Sequence, residues 1–162
     1  MSRSIQLELR IREYNGPEEL KDSDRDLLNI AKDASKNSHS PYSGLAVGAA
    51  LMLDSGEIIT ANNRENAAFP SGICAEHAAI AYAGSNYPGS AIKDIAICAR
   101  RDKDFTNEPV TPCGKCRQVM AEEELKSGKK IRVIMFGKSR IYIAEDIESL
   151  LPLQFKSLLP GF

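Results

Sequence analysis

Two cysteine-bearing stretches constrain this chain more than any other feature. Residues 70–76 read PSGICAE and residues 111–118 read TPCGKCRQ, and each runs from a turn into a helix-forming segment. A cysteine at a helix start lies beside unpaired backbone N–H groups, which lower its pKa and favour a metal-binding thiolate. Cys113 and Cys116 are three positions apart and so share a helix face. Alone, that pair reads either as a redox C-x-x-C or as half a zinc site. Cys74 would add a third ligand, with no sequence-adjacent fourth, and three protein ligands with one open position is the arrangement of catalytic zinc. Residues i and i+2 do not face each other on a regular helix, so Glu76 reaches such a metal only if Cys74 sits in a bent first turn.

The rest of the chain predicts an α/β protein. Ile5, Leu7, Leu9 and Ile11 alternate with polar residues, which predicts an N-terminal strand closed off by Asn15, Gly16 and Pro17. A helix is expected from Ser23 to Lys36, with Asp22 or Ser23 as N-cap. The polar loop 37–44 leads to the apolar run Leu45 to Leu53, and a turn at 54–56 makes a hairpin with Glu57 to Ala61. An alanine-rich helix is expected over Cys74 to Ala83, a strand over Ile92 to Ala99, a charged connection over Arg100 to Thr111, and a helix over Cys113 to Lys126 ended by Gly128. Ile131 to Phe136 is continuously apolar, as in a strand buried on both faces, and Arg140 to Ala144 is a shorter strand. The tail, Asp146 to Phe162, reads as a short helix broken at Pro152. Helices alternating with strands in the second half point to a sandwich containing parallel strands.

Composition narrows the function. The 162 residues carry 21 Lys and Arg against 22 Asp and Glu, a net charge of -1, so no excess of positive charge is present to hold a nucleic-acid polymer. The longest nearly apolar run, Gly44 to Leu53, is about half of a membrane span. The N-terminus has no continuous apolar stretch of a secretory signal, and four cysteines are too few for a secreted disulfide framework. A cytoplasmic protein of one domain, 1–162, is the expectation.

C-A-E, followed 36 residues after its glutamate by P-C-x-x-C, resembles the zinc-dependent cytidine deaminases in their three-cysteine, homotetrameric form. Ser40, Pro41, Tyr42 and Ser43 followed by Val47, Gly48, Ala49 and Ala50 are similar to that family's SPYS…VGAAL segment. Asn63 to Ala68 is similar to its N-x-E-N-A pattern, and Leu150, Leu151, Pro152 and Phe155 to its LLPxxF. The resemblance covers residues 23–156 and leaves 1–17 as an N-terminal extension. It implies a three-layer α/β/α sandwich around a mixed, roughly five-stranded sheet, one Zn²⁺ per subunit on Cys74, Cys113 and Cys116, and a homotetramer. It implies hydrolysis of cytidine and 2'-deoxycytidine to uridine and 2'-deoxyuridine, with Glu76 as proton shuttle, in pyrimidine salvage. Asn63 and Glu65 would bond the ribose, Ala75 the pyrimidine edge, and Leu45, Ala67, Phe69 and Phe155 would line or cap the nucleoside pocket.

Four positions differ from the family pattern. Leu45 replaces an aromatic against the base, Phe69 a tyrosine, Arg64 a small apolar residue, and His77 an arginine that offsets thiolate charge. The first three motivate a second reading, a deaminase of a modified or antibiotic nucleoside. A third, a non-catalytic zinc-stabilised binding module, is opposed by Glu76, which a structural site does not need.

Elsewhere the plain readings are the expectation: Cys98 as a core residue, His39 as solvated, His77 as a structural histidine near the site, and Glu122 to Glu124 as a solvated helix face. Lys126, Lys129, Lys130 and Arg132 form a cluster too short for a nucleic-acid track.

Overall fold

A computed structural model describes residues 2–156. The elements in chain order are β1 (Ile11–Tyr14), α1 (Asp22–Ala34), β2 (Ala46–Leu53), β3 (Ile58–Asn62), α2 (Ala75–Asn86), β4 (Ile92–Arg101), β5 (Asp104–Phe105), α3 (Gly114–Ser127), β6 (Arg132–Phe136) and β7 (Ile141–Ala144). They form one open sheet in the order β1-β7-β6-β4-β2-β3, with β5 folded back on β4. Among the strands of the described residues only β4 and β6 run parallel, joined by the crossover through α3, and the other strand pairings are antiparallel.

The period-two alternation of each strand sends side chains to two separate cores. On one face Ala50, Ala96, Cys98, Ile134, Ile141 and Ile143 pack under Leu27, Leu28 and Ala31 of α1. On the other, Leu51, Leu53, Ile95, Ile97, Val133 and Met135 pack under Ala79, Ile80 and Ala83 of α2 and Cys116, Met120 and Ala121 of α3. Covering both faces is what makes β6 continuously apolar. The three-layer sandwich is therefore present, with seven strands rather than about five. β5 is the strand that the charged connection concealed: Asp102 and Lys103 turn the chain back at φ 51° and 71°, and Phe105 meets Phe136 edge-on at 5.5 Å.

The N-terminal strand is shorter and later than its alternation suggests. β7 offers only Ile141–Ala144 before the chain turns away, so β1 pairs over Ile11–Tyr14 and residues 2–10 carry no regular structure. The tail is also corrected as far as Lys156. Asp146 to Leu150 forms turns, with Leu150 and Leu151 N–H both donating to the Ile147 carbonyl, and Pro152 follows without a helix. Residues 157–162 of that expected helix lie outside the described residues. The N-cap of α1 is Lys21, not Asp22 or Ser23, and Asp22 and Asp24 instead place negative charge in the first turn.

Asp24 and Asp94 are buried, and Arg132 joins them at 2.8 and 2.6 Å across α1, β4 and β6. Glu124 is likewise a fastener and not a solvated charge: its carboxylate accepts from Ile131 N–H at 2.7 Å and Ile147 N–H at 3.1 Å. With Lys129 on Asp54, and Lys130 beside Glu124 and Asp146, the basic cluster is spent on ion pairs. Among the described residues no helix is long and apolar enough to cross a membrane.

The C-terminal end of α1 lies directly on β2. A Cβ at Gly48 would stand 2.1 Å from the Ala31 carbonyl oxygen and 2.5 Å from Ser35 N, both backbone atoms that cannot rotate away. Gly48→Ala is expected to lower stability by at least about 2 kcal/mol, measured as a shift in the urea midpoint.

Candidate active site

α2 and α3 start side by side over the sheet, and a cysteine forms the N-cap of each. Cys74 and Cys113 have extended backbone (ψ 153° and 164°), and neither helix has a side-chain cap for its first amides. The first-turn N–H groups of both helices therefore converge on the thiols. Cys116, one turn into α3, completes the group: all three Sγ atoms lie within 4.8 Å of one another, with Cys74 and Cys113 at 3.8 Å. The donor set fits zinc. Zn–S bonds of about 2.3 Å at tetrahedral angles put sulfurs about 3.8 Å apart, and the three thiols leave one position open. The extended N-cap also answers the i,i+2 difficulty. Cys74 stands outside the helix, so Glu76 on its first turn turns inward, 4% exposed, beside Cys74 and Cys116.

The protonation pattern follows from this crowding. Cys74 falls to about 6, chiefly because the Cys116 thiol donates to it, with help from Cys113, Lys115 and His77. Cys116 is correspondingly pushed up by that same bond and by burial, so Cys74 carries the charge and Cys116 the proton. Burial raises the Glu76 carboxyl to about 7, against the pull of its own backbone N–H; the nearby Cys74 raises it further. Burial also drives the Cys98 thiol up to about 11, and it lies in the core on the α1 face, away from the trio.

A cavity of about 350 Å³ opens beside Cys74, bounded by Tyr42, Asn63, Glu65, Phe69 and Ile73. This is large enough for a small ligand. Asn63 is committed to the scaffold: its Oδ1 accepts from Val47 N–H at 2.8 Å and Ser38 Oγ at 2.5 Å, and its Nδ2 donates to the Leu45 carbonyl at 2.9 Å. Glu65 accepts from Tyr42 N–H at 2.8 Å, Ser43 N–H at 3.3 Å and Ser43 Oγ at 2.5 Å, which hold its carboxyl below the usual range. The two residues pin the loop 38–47 to one wall of the cavity.

Of the other expected contacts, Phe69 lies at the mouth, 75% exposed and edge-on to Tyr42 at 5.7 Å. Ala75 is fully buried in the first turn of α2; Leu45 is half-buried and Ala67 exposed, and neither lines the cavity. Phe155 does not line it: its carbonyl accepts from Gln118 Nε2 at 2.9 Å and the residue is 81% exposed. His39 is exposed, but its backbone exchanges bonds with Asn63 and Glu65, fixing the strip on which they stand. His77 keeps a buried Nδ1 without a hydrogen-bond partner.

Sequence reasoning missed Ser38 and Ser43 as supports, and it missed Arg117. Arg117 donates to the Pro112 carbonyl at 2.8 Å and to the Leu150 carbonyl at 2.7 Å, tying the Leu150–Pro152 turn to the cysteine loop. Its place directly after Cys116 was the available signal.

Fold and site together define a zinc-binding deaminase class. The family model described as "Cytidine and deoxycytidylate deaminase zinc-binding region" matches residues 21–130. The cytidine deaminase of Halalkalibacterium halodurans is 41% identical over 135 residues, 83% of this chain and 89% of that protein. A probable cytidine deaminase of Dictyostelium discoideum is 31% identical over 83% of this chain and 79% of its own. Among solved structures, cytidine deaminase from Burkholderia pseudomallei superposes with a TM-score of 0.69 at 30% identity, covering 80% of this chain and 97% of that one. The Mycobacterium tuberculosis enzyme gives 0.64 at 29%, over 82% and 96%. This chain belongs to the cytidine deaminase family, a zinc-binding family of enzymes.

Metal binding at this trio ties two helices together and so contributes to folding. Cys113→Ala is expected to lose bound zinc and melt at a lower temperature. A chelator should lower the melting temperature of the wild type and leave that of the variant unchanged.

Proposed function

We propose that this protein hydrolyses the exocyclic amine of cytidine and 2'-deoxycytidine, giving uridine and 2'-deoxyuridine with release of ammonia. The observation that carries this reading is the buried carboxyl of Glu76 packed against a trio of thiols with one coordination position to spare. Cys74, Cys113 and Cys116 would hold the zinc, which would supply an activated water, because a zinc-bound water's pKa falls from 15.7 to about 7.

Glu76 is buried beside Cys74 and Cys116, and Cys74 lines the cavity that a base would enter. Its carboxylate takes a proton from the attacking water, delivers it to the pyrimidine N3, and then serves the departing amine. A carboxyl raised by burial exchanges protons readily near neutral pH. The buried first turn of α2 at Ala75 presents backbone to the pyrimidine edge. The second Nδ2 hydrogen of Asn63 and the remaining lone pairs of Glu65 are left for the ribose hydroxyls. Since the protein already holds both side chains in place, the sugar meets a preorganised wall.

The exposed Tyr42 and Phe69 at the mouth, and the exposed Phe155, support a homotetramer in which neighbours complete each other's pockets. Four cysteines without a disulfide between them, three of them clustered, support a cytoplasmic place in pyrimidine salvage. An aliphatic Leu45 and a hydroxyl-free Phe69 favour, as a second reading, a cytosine nucleoside with a modified base.

Ammonia release is the test, with cytidine, 2'-deoxycytidine, cytosine, adenosine, a modified cytosine nucleoside and a cytosine-containing oligonucleotide as substrates. Turnover of the two unmodified nucleosides is expected. Glu76→Gln should retain zinc and fold while kcat falls at least about 100-fold. Near-full activity in that variant overturns the role of Glu76, and silence on all substrates at full zinc occupancy overturns the reading.

A further inference from the structure

Residues 2–10 precede the first position that the family model matches, residue 21. The Burkholderia pseudomallei enzyme is covered over 97% of its length while a fifth of this chain is left over. This N-terminal arm leads directly into β1, the outermost strand of the sheet, whose other edge is unpaired among the described residues. Ile5, Leu7, Leu9 and Ile11 alternate with polar residues along the arm and are 83, 51, 54 and 42% exposed. An apolar run continuing an open edge strand is a template for strand addition.

The arm is complementary to itself. If two copies pair antiparallel about Leu9, Glu8 of each stands opposite Arg10 of the other, and Leu7 stands opposite Ile11. Centring the pair on Glu8 or on Arg10 instead stacks like charges on the axis. Slipping by a single position sets apolar against polar residues along the whole arm. The backbone agrees with the Leu9 centre. Arg10 N–H is turned inward to Ser149 Oγ at 3.4 Å, so in an extended arm the amides of Leu9 and Ile11 face outward, free to bond to a second strand. Leu9 then forms a hydrogen-bonded pair with its own copy. The two Glu8–Arg10 contacts occupy the closer, non-hydrogen-bonded sites, where cross-strand side chains interact most strongly.

We propose that residues 5–11 are a homotypic interface, pairing antiparallel about Leu9 with the same segment of a second copy of this chain. The strand lies at the opposite end of the sheet from β2 and β3, over which α2 packs, so the interface is separate from the catalytic reading and does not rest on it.

The test is site-directed cross-linking of the full-length, zinc-loaded protein, with the wild type as blank for its own thiols. Leu9→Cys is expected to give a disulfide-linked dimer on mild oxidation. Ile5→Cys, which faces Glu13 of the second copy in this register, should stay unlinked. Adding Glu8→Arg to Leu9→Cys puts like charges opposite each other twice and should slow linkage about tenfold. Adding both Glu8→Arg and Arg10→Glu should restore it. All four positions are exposed, so folding is preserved, and removal of residues 2–10 should lower the association constant in sedimentation. Linkage of Leu9→Cys no faster than of Ile5→Cys overturns the proposal, as does indifference to the charge reversals or an unchanged association constant without the arm.

Discussion

Two uncapped helix N-termini set side by side are the arrangement on which the rest of this structure depends. Backbone amides left without partners at the starts of α2 and α3 create positive potential at a single point, and Cys74, Cys113 and Cys116 place sulfur there. The remaining architecture serves to hold those two helix starts in position. β3 leads into the loop before α2, the strand pair β4 and β6 flanks α3, and small side chains on α2 let it lie close to the sheet. Arg117 then locks the loop before Cys113 against the Leu150 turn, so the tail stabilises the thiol trio without touching it.

Crowding at that point has an electrostatic consequence for Glu76. A carboxyl with so little exposure, beside a thiolate, is held partly protonated near neutrality by burial first and charge second. A structural metal site would have no use for such a group. The wall of the cavity at Asn63 and Glu65 is built differently, from polar side chains already satisfied by the loop they face. Asn63 and Glu65 spend most of their hydrogen bonds on the loop 38–47, so they are rigid before any ligand arrives. The cavity beside Cys74 thus has a rigid polar wall, and a buried carboxyl raised by burial stands next to that cysteine.

Much of this was legible in the chain. Ile131 to Phe136 announced a strand covered on both faces, Gly128 the end of α3, and the two cysteine stretches the site itself. The misreadings have local causes. The alternation of Ile5 to Ile11 is a strand pattern, yet strand pairing requires a neighbour, and β7 is only four residues long. Glu124 sits in a run of three glutamates and looks solvated, yet two backbone amides reached by the fold capture it. The charged connection Arg100 to Thr111 hid β5 because Asp102 and Lys103, neither of them glycine, make its turn.

By itself the sequence determined the identities and spacings that chemistry requires: three thiols, one carboxyl two residues after the first, and alternating apolar residues enough for two cores. Those are local properties, set by residue type and by periods of 2 and 3.6. Only tertiary structure decided that Cys74 meets Cys113 across 39 positions, with Cys116 a turn further on, that Glu76 is buried against them, and that Arg132 and Glu124 are fasteners. These depend on which surfaces the sheet brings together, and distances between segments far apart in the chain are not encoded by any one of them.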